Sequence, residues 1–212
     1  MTIDSTRRYV AEALLKIEAV KLRPAEPFTW ASGWKSPIYC DNRKTLSFPR
    51  ERAYIKMAMS QIINERYPEA DCIAGVATGA ISWGALVADA LGLPFIYVRS
   101  AAKDHGMQNL IEGNLRPGAR VVVIEDLIST GGSSIKAVQA LKAAGAEVLS
   151  LIAVYTHGFA QAEELFAAEG VPMLTLSDYS AVIERAVETG YIGSEQVSLL
   201  QEWRKSPDTW GK

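Results

Sequence analysis

The chain has 212 residues, 49% of them hydrophobic, with five Trp and a formal charge of −2 at neutral pH. That is enough apolar material for one folded domain with at most a small appendage, and the charge balance lacks the basic excess of a duplex nucleic-acid binder. Cys40 and Cys72 form no CxxC, and His105 and His157 are too few for a histidine-rich zinc site. The opening MTIDSTRRYVAEALL is not a signal peptide, and no run of about 18 apolar residues is present to span a bilayer. The expectation is a soluble cytoplasmic protein with no nucleic-acid and no membrane partner.

Tyr9, Val10, Ala13, Leu14 and Ile17 recur at helical spacing and predict an amphipathic helix over 5–20. The stretch 20–49 is rich in proline and holds short β-like pieces around Phe28–Trp30 and Ile38–Cys40, which reads as a small subdomain of strands and turns. Pro49 then opens a helix to about Tyr67, with Ala53, Ile55, Met59, Ile62 and Ile63 toward the core.

From residue 72 onward strands and helices alternate. Strands are predicted at 72–77, 94–99, 119–126, 146–156 and 172–176. Helices are predicted after the loops that begin at 78 and 127, then at 159–169, 178–189 and around 195–204. Cys72 sits in an apolar run and reads as a core residue, while Cys40 is left open between a free thiol and a pairing partner. Such alternation predicts a mostly parallel sheet covered by helices on both faces, with ligands bound beyond the carboxyl ends of the strands. Three polar segments begin at strand ends and are placed to converge there: 77–80, 100–112 and 125–133.

The strongest signal is VVVIEDLISTGGSS, residues 121–134. Four apolar β-formers lead straight to Glu125 and Asp126. Two acids behind a buried strand are costly unless they meet donors or a cation. Ribose hydroxyls are such donors. Leu127, Ile128, Ser129, Thr130, Gly131, Gly132 and Ser133 then run into a helix start, where free N–H groups and the helix dipole favour an anion. Diol recognition followed by phosphate recognition describes a ribose 5-phosphate. The segment is neither GxGxxG nor a P-loop. Arg99, Lys103 and His105 put two permanent cations and one conditional cation within seven residues, and Gly106 adds flexibility, as suits a loop closing over a polyphosphate.

The 121–134 segment resembles the 5-phosphoribosyl 1-pyrophosphate (PRPP) signature of type I phosphoribosyltransferases. Phe28–Arg43 resembles the N-terminal hood of orotate phosphoribosyltransferases, and Arg99–Gly106 with Asn109–Gly113 resembles their catalytic loop. The resemblance implies an α/β fold, with a mostly parallel central sheet flanked by helices and a small hood. It divides the chain into a helix and hood at 1–48, a PRPP-binding core at 49–190 and a tail at 191–212. It implies transfer of the phosphoribosyl group of PRPP to orotate with release of pyrophosphate.

Lys103, Arg99 and His105 would be the catalytic residues. Together with these three, Thr78, Gly79 and the run Glu125–Ser133 would bind PRPP. Ser129, Ile38, Tyr39, Arg43, Ser32 and Gly33 would bind orotate. Mg²⁺ is the implied cofactor, arriving with the substrate and not in an all-protein cage. A homodimer with shared active sites is implied as well. The chain departs from the enteric members at Ala31, Ser100 and His157, where those carry cations, which leaves Lys103, Arg99, His105, Arg43 and His157 as candidates to balance the substrate charge. Two other readings share the PRPP motif: transfer to another base, and a PRPP-sensing regulator.

Overall fold

The computed structural model describes residues 3–30, 32–99 and 110–211. Helix α1 (Ile3–Lys16) buries Val10, Ala13 and Leu14, and Ile17 is buried in the turn that follows it. Strands β1 (Val20–Leu22) and β4 (Ile38–Cys40) pair antiparallel, and β2 (Phe28–Thr29) pairs with β3 (Lys35–Ser36) as a second short ribbon. A 3₁₀ helix over Asn42–Ser47 leads to α2 (Pro49–Arg66). Helix α2 turns Ile55, Ala58, Met59 and Ile63 inward, with Ile62 partly buried against the core. Ala53, expected on that face, is exposed; the buried stripe takes Ala58 in its place.

The main sheet has six strands: β5 (Cys72–Val76), β6 (Phe95–Val98), β7 (Ile111–Glu112), β8 (Arg120–Ile128), β9 (Glu147–Thr156) and β10 (Met173–Asp178), in the order β10-β9-β8-β5-β6-β7. All neighbours are parallel except β7, which runs antiparallel to β6. Helices α3 (Ile81–Leu91), α4 (Gly132–Ala143) and α5 (Ala160–Glu169) are the crossovers, and α6 (Tyr179–Glu188) and α7 (Val197–Lys205) follow the last strand. Expected and observed boundaries differ at α1, which ends at Lys16 and not at 20, and at β8, which runs two residues past the acid pair because Leu127 and Ile128 keep pairing with Tyr155 and Thr156 of β9.

Strand alternation builds two cores. On β8, Val122 and Ile124 face α1, α2, α3 and α6, while Val121 and Val123 face α4 and α5. On β9, Ile152 and Val154 take the first side and Leu151 and Ala153 the second. A strand covered on both faces is apolar at most positions, which is why these strands read as near-continuous apolar runs. Helix α3 lies close on β5 because two glycines meet there: a Cβ on Gly84 would come 2.5 Å from the Phe95 ring and 3.1 Å from Gly75 Cα.

The chain leaves β5 toward β6 on one side. It returns to β8 on the other and continues outward to β9 and β10. The β5/β8 junction is therefore the topological switch point, where the loops after two adjacent strands part and leave a crevice.

Candidate active site

The crevice at the switch point is a cleft of about 340 Å³, lined by Cys40–Arg43 of the hood, Val76–Gly79 after β5, Glu125–Leu127 at the end of β8, and Ser133. Segments far apart in sequence meet here because β5 and β8 are neighbours and the hood sits over their carboxyl ends.

The two acids have different surroundings. Glu125 is 4% exposed. Its Oε2 accepts from Ser134 Oγ at 2.8 Å, and its Oε1 accepts from the Asp126 N–H at 3.0 Å. Burial, then the adjacent Asp126 charge, pushes the Glu125 carboxyl well above the usual carboxylate range. Asp126 is less buried and lies against Gly79, where any Cβ would clash with its carboxylate. Its carbonyl accepts from Asn42 Nδ2 at 2.6 Å, a direct tie from hood to acid pair. Asn42 is 1% exposed.

Beyond the acids, Gly131 takes the left-handed conformation (φ 82°) and turns the chain into α4. No side chain caps that helix, so its first N–H groups point outward beside Ser133 and the Asp126 side of the cleft. Preceding α3, Ala80 likewise has no side-chain cap, and Thr78 is exposed at the cleft. The Ala77–Thr78 peptide is cis. One cleft thus offers a carboxylate and two amide-rich turns, which suits a sugar diol flanked by phosphates.

Of the expected residues, Thr78, Gly79, Arg43, Glu125, Asp126, Leu127 and Ser133 line this cleft. Ser129, Thr130, Gly131 and Gly132 follow on the same loop. The Ile128 side chain is a core group, and its carbonyl accepts from the His157 N–H and Thr156 Oγ1. Ile38 is fully buried, and its carbonyl accepts from Trp30 Nε1 and Ser36 Oγ. Tyr39 is 42% exposed and packs on Phe28. Ser32 and Gly33 occupy the exposed turn between β2 and β3. Arg43 forms a two-point pair with Asp41, at 2.6 and 3.0 Å.

Arg99 follows β6 directly and pairs with Glu112 at 3.5 Å; its N–H donates to Leu110 O at 2.8 Å, so positions 99 and 110 are drawn together at the carboxyl end of β6. Lys103, His105, Ser100 and Ala31 lie outside the described residues.

His157 requires a correction. It is 1% exposed, within 6 Å of the rings of Trp30, Tyr155, Phe159 and Trp203, and burial lowers its pKa to about 3. At neutral pH it carries no charge and cannot stand in for an arginine. Cys40 and Cys72 are both free, which settles the open pairing question. Burial pushes the Cys40 thiol up, assisted by the Asp126 and Asp41 charges, so it is a poor nucleophile. Asn42 was not named as a site residue from sequence, and Cys40 was weighed only for pairing; the available signal was the polar pair Asp41 and Asn42 after a short apolar strand.

Among the described residues, no cluster of three or more His, Cys, Asp or Glu is arranged to hold a metal, and no helix is long and apolar enough to cross a membrane.

Residues 46–183 match the phosphoribosyl transferase domain family. The chain is 60% identical over 204 residues to an orotate phosphoribosyltransferase of Porphyromonas gingivalis, covering 96% of this chain and 97% of that one. Its fold is similar to the orotate phosphoribosyltransferase of Aeropyrum pernix (TM-score 0.75, 29% identity, 87% of this chain and 99% of that one). It is also similar to the Mycobacterium tuberculosis enzyme solved in complex with PRPP (TM-score 0.66, 26% identity, 84% and 98%). Resemblance this extensive, over nearly the full length of its relatives, means that the chain belongs to the orotate phosphoribosyltransferase family and has the type I phosphoribosyltransferase fold.

Proposed function

We propose that the cleft binds PRPP and that the enzyme transfers its phosphoribosyl group to orotate, giving orotidine 5′-monophosphate and pyrophosphate. The observation that carries this reading is the placement of Asp126 beside the uncapped start of α4, in a cleft shared with the loop after β5. The ribose hydroxyls donate to Asp126, with Glu125 behind it. The 5-phosphate takes the N–H groups and hydroxyls of Ser129–Ser133. The pyrophosphate faces Thr78 and Gly79.

In the reaction orotate N1 forms a bond to ribose C1 as the C1–O bond to pyrophosphate breaks, and the electron pair leaves with pyrophosphate. Negative charge grows on the leaving group and positive charge on the sugar ring. No protein nucleophile is needed, so catalysis is positioning and electrostatic stabilisation. Lys103, with Arg99 and His105, meets the charge on the leaving group and excludes water. Orotate lies between the hood and Ser129, near Tyr39.

The donor set fits a metal that the substrate carries: of the cleft carboxylates, Asp41 is paired with Arg43 and Glu125 with Ser134, which leaves Asp126, and among the described residues no cluster is arranged to cage an ion. When bound with the substrate, Mg²⁺ would supply charge neutralisation on the pyrophosphate, with Asp126 the carboxylate nearest to share in holding it. The enzyme works in the cytoplasm as a homodimer in which the loop around Lys103 serves the neighbouring subunit's site.

The test is loss of orotate ultraviolet absorbance on mixing protein, orotate, PRPP and Mg²⁺, with uracil and a purine base as alternative acceptors. Mg²⁺-dependent loss with orotate alone is expected. Loss only with another base, or tight PRPP binding with no turnover, would overturn the assignment.

A further inference from the structure

Helix α7 reaches both walls of the base side of the site. Trp203 is fully buried, and its Nε1 donates to the carbonyl of Lys35, in β3 of the hood, at 3.1 Å. Its ring meets Trp30 of the hood edge-on at 5.6 Å, and His157 and Phe159 after β9 at 5.8 and 5.5 Å. The next residue, Arg204, donates from Nη2 to Gly158 O at 3.0 Å and from Nη1 to Ser180 Oγ at 3.1 Å. Its guanidinium lies over the Tyr179 ring, whose hydroxyl donates back to Leu200 O.

Gly158 is built for this contact. It has φ 65°, and a Cβ there would come 2.7 Å from Arg204 Nη2. The same turn is tied to the end of β8: the His157 N–H and Thr156 Oγ1 both donate to Ile128 O, one residue before Ser129. A path of direct contacts therefore runs from the hood through Trp203 and Arg204 to the turn that holds the start of the Ser129–Ser133 loop. Between these walls lies a cavity of about 700 Å³, lined in part by Trp34, Thr130, Gly158, Arg204 and Lys205.

Among the described residues the hood is joined to the sheet in few other places. Asn42 ties it to Asp126 on the ribose side. The base side has no such tie from the hood's own polar groups; there the neutral His157 supplies only a ring face.

We propose that Trp203 and Arg204 are positioning residues for the orotate half of the site, holding the β2–β3 hairpin of the hood at a set distance from the turn after β9. The proposal rests on the reading that orotate binds between hood and Ser129. Trp203 and Arg204 need touch neither substrate. Their loss lets the hood and the 157–159 turn move apart, which weakens the site for the base and leaves the ribose cleft intact.

The experiment compares Trp203→Phe, which keeps a ring but removes the N–H, with Arg204→Gln, the milder change should Trp203→Phe fold poorly. Apparent KM values for orotate and for PRPP, kcat, and backbone hydrogen exchange are measured on each. The expected result is an orotate KM raised about tenfold, as for one lost hydrogen bond, with PRPP KM and kcat within about twofold. Exchange should quicken in 35–40 for Trp203→Phe and in 157–160 for Arg204→Gln, with β8 still protected. An unchanged orotate KM would overturn the proposal. So would a parallel rise of both KM values with lost protection in β8, since that is general loosening. If the wild-type protein does not use orotate, the functional reading fails, and the exchange arm alone decides whether α7 holds these two walls: unchanged exchange rejects it.

Discussion

Asp126 owes its place in the cleft to a missing side chain. Gly79 leaves room for the carboxylate, while the neighbouring Glu125 is tied to Ser134 and to backbone. Asp126→Asn keeps the shape and removes the charge-assisted acceptor. PRPP affinity should fall about tenfold or more, read by titration calorimetry, with the melting temperature nearly unchanged. Unaltered affinity would remove the ribose from this cleft.

His157 makes a pH prediction at the same scale. Its pKa falls from the ordinary 6.5 to about 3 on folding because burial disfavours the imidazolium. Between those values the unfolded chain binds a proton there and the folded chain does not, so stability falls as pH drops through that window. The slope from this group is about 1.4 kcal/mol per pH unit. Urea denaturation at pH 7 and pH 5 should show a smaller loss in His157→Phe than in the wild type; equal losses would mean the ring is charged or solvated. Sequence reading flagged this histidine only as the occupant of an arginine's place. Its neutrality depends on four rings brought together by three separate segments, which no local pattern encodes.

At the scale of elements, the anion site depends on where α4 begins. Gly131 adopts φ 82°, and a Cβ there would stand 3.3 Å from Ala162. Gly131→Ala therefore meets left-handed strain and crowding from α5 together. It should cost about 1–2 kcal/mol of stability and weaken PRPP binding by shifting the first N–H groups of α4. Thermal denaturation and PRPP titration check the two effects; a stable variant with full affinity would show that the helix start does not shape the site.

The elements themselves were largely legible. Continuous apolar runs at 121–124 and 151–154 announce doubly covered strands, and the motif's glycines announce the turn. The end of β8 was misplaced because two acids look like a strand terminus, whereas pairing with β9 carries the ladder on to Ile128. The inward face of α2 was partly misjudged at Ala53, since its apolar positions do not form one sharp stripe and packing against α3 decides which side turns in.

At the scale of the whole molecule, the prediction concerns shared sites. Lys103→Ala removes the loop cation and Asp126→Asn the ribose acceptor. If the loop acts across a two-fold homodimer, mixing and reassociating the two inactive variants should restore about a quarter of the wild-type sites, since half the dimers are mixed and each has one intact site. Gel filtration confirms the dimer, and activity after mixing reads the arrangement. Dimers with no regained activity would place each loop over its own subunit's cleft.

Strand–helix alternation and the acid pair before a glycine turn are properties of neighbouring residues, so the sequence by itself determined the fold class and, through its resemblance to a known family, the reaction class. Strand order, by contrast, is a choice among long-range pairings. Only the tertiary structure decided that β5 and β8 adjoin, that Asn42 reaches the Asp126 carbonyl, that His157 is buried among aromatic rings, and that Trp203 of α7 hydrogen-bonds to the hood. Burial and distance depend on everything packed around a residue, and in this chain those surroundings come from segments up to 180 positions apart.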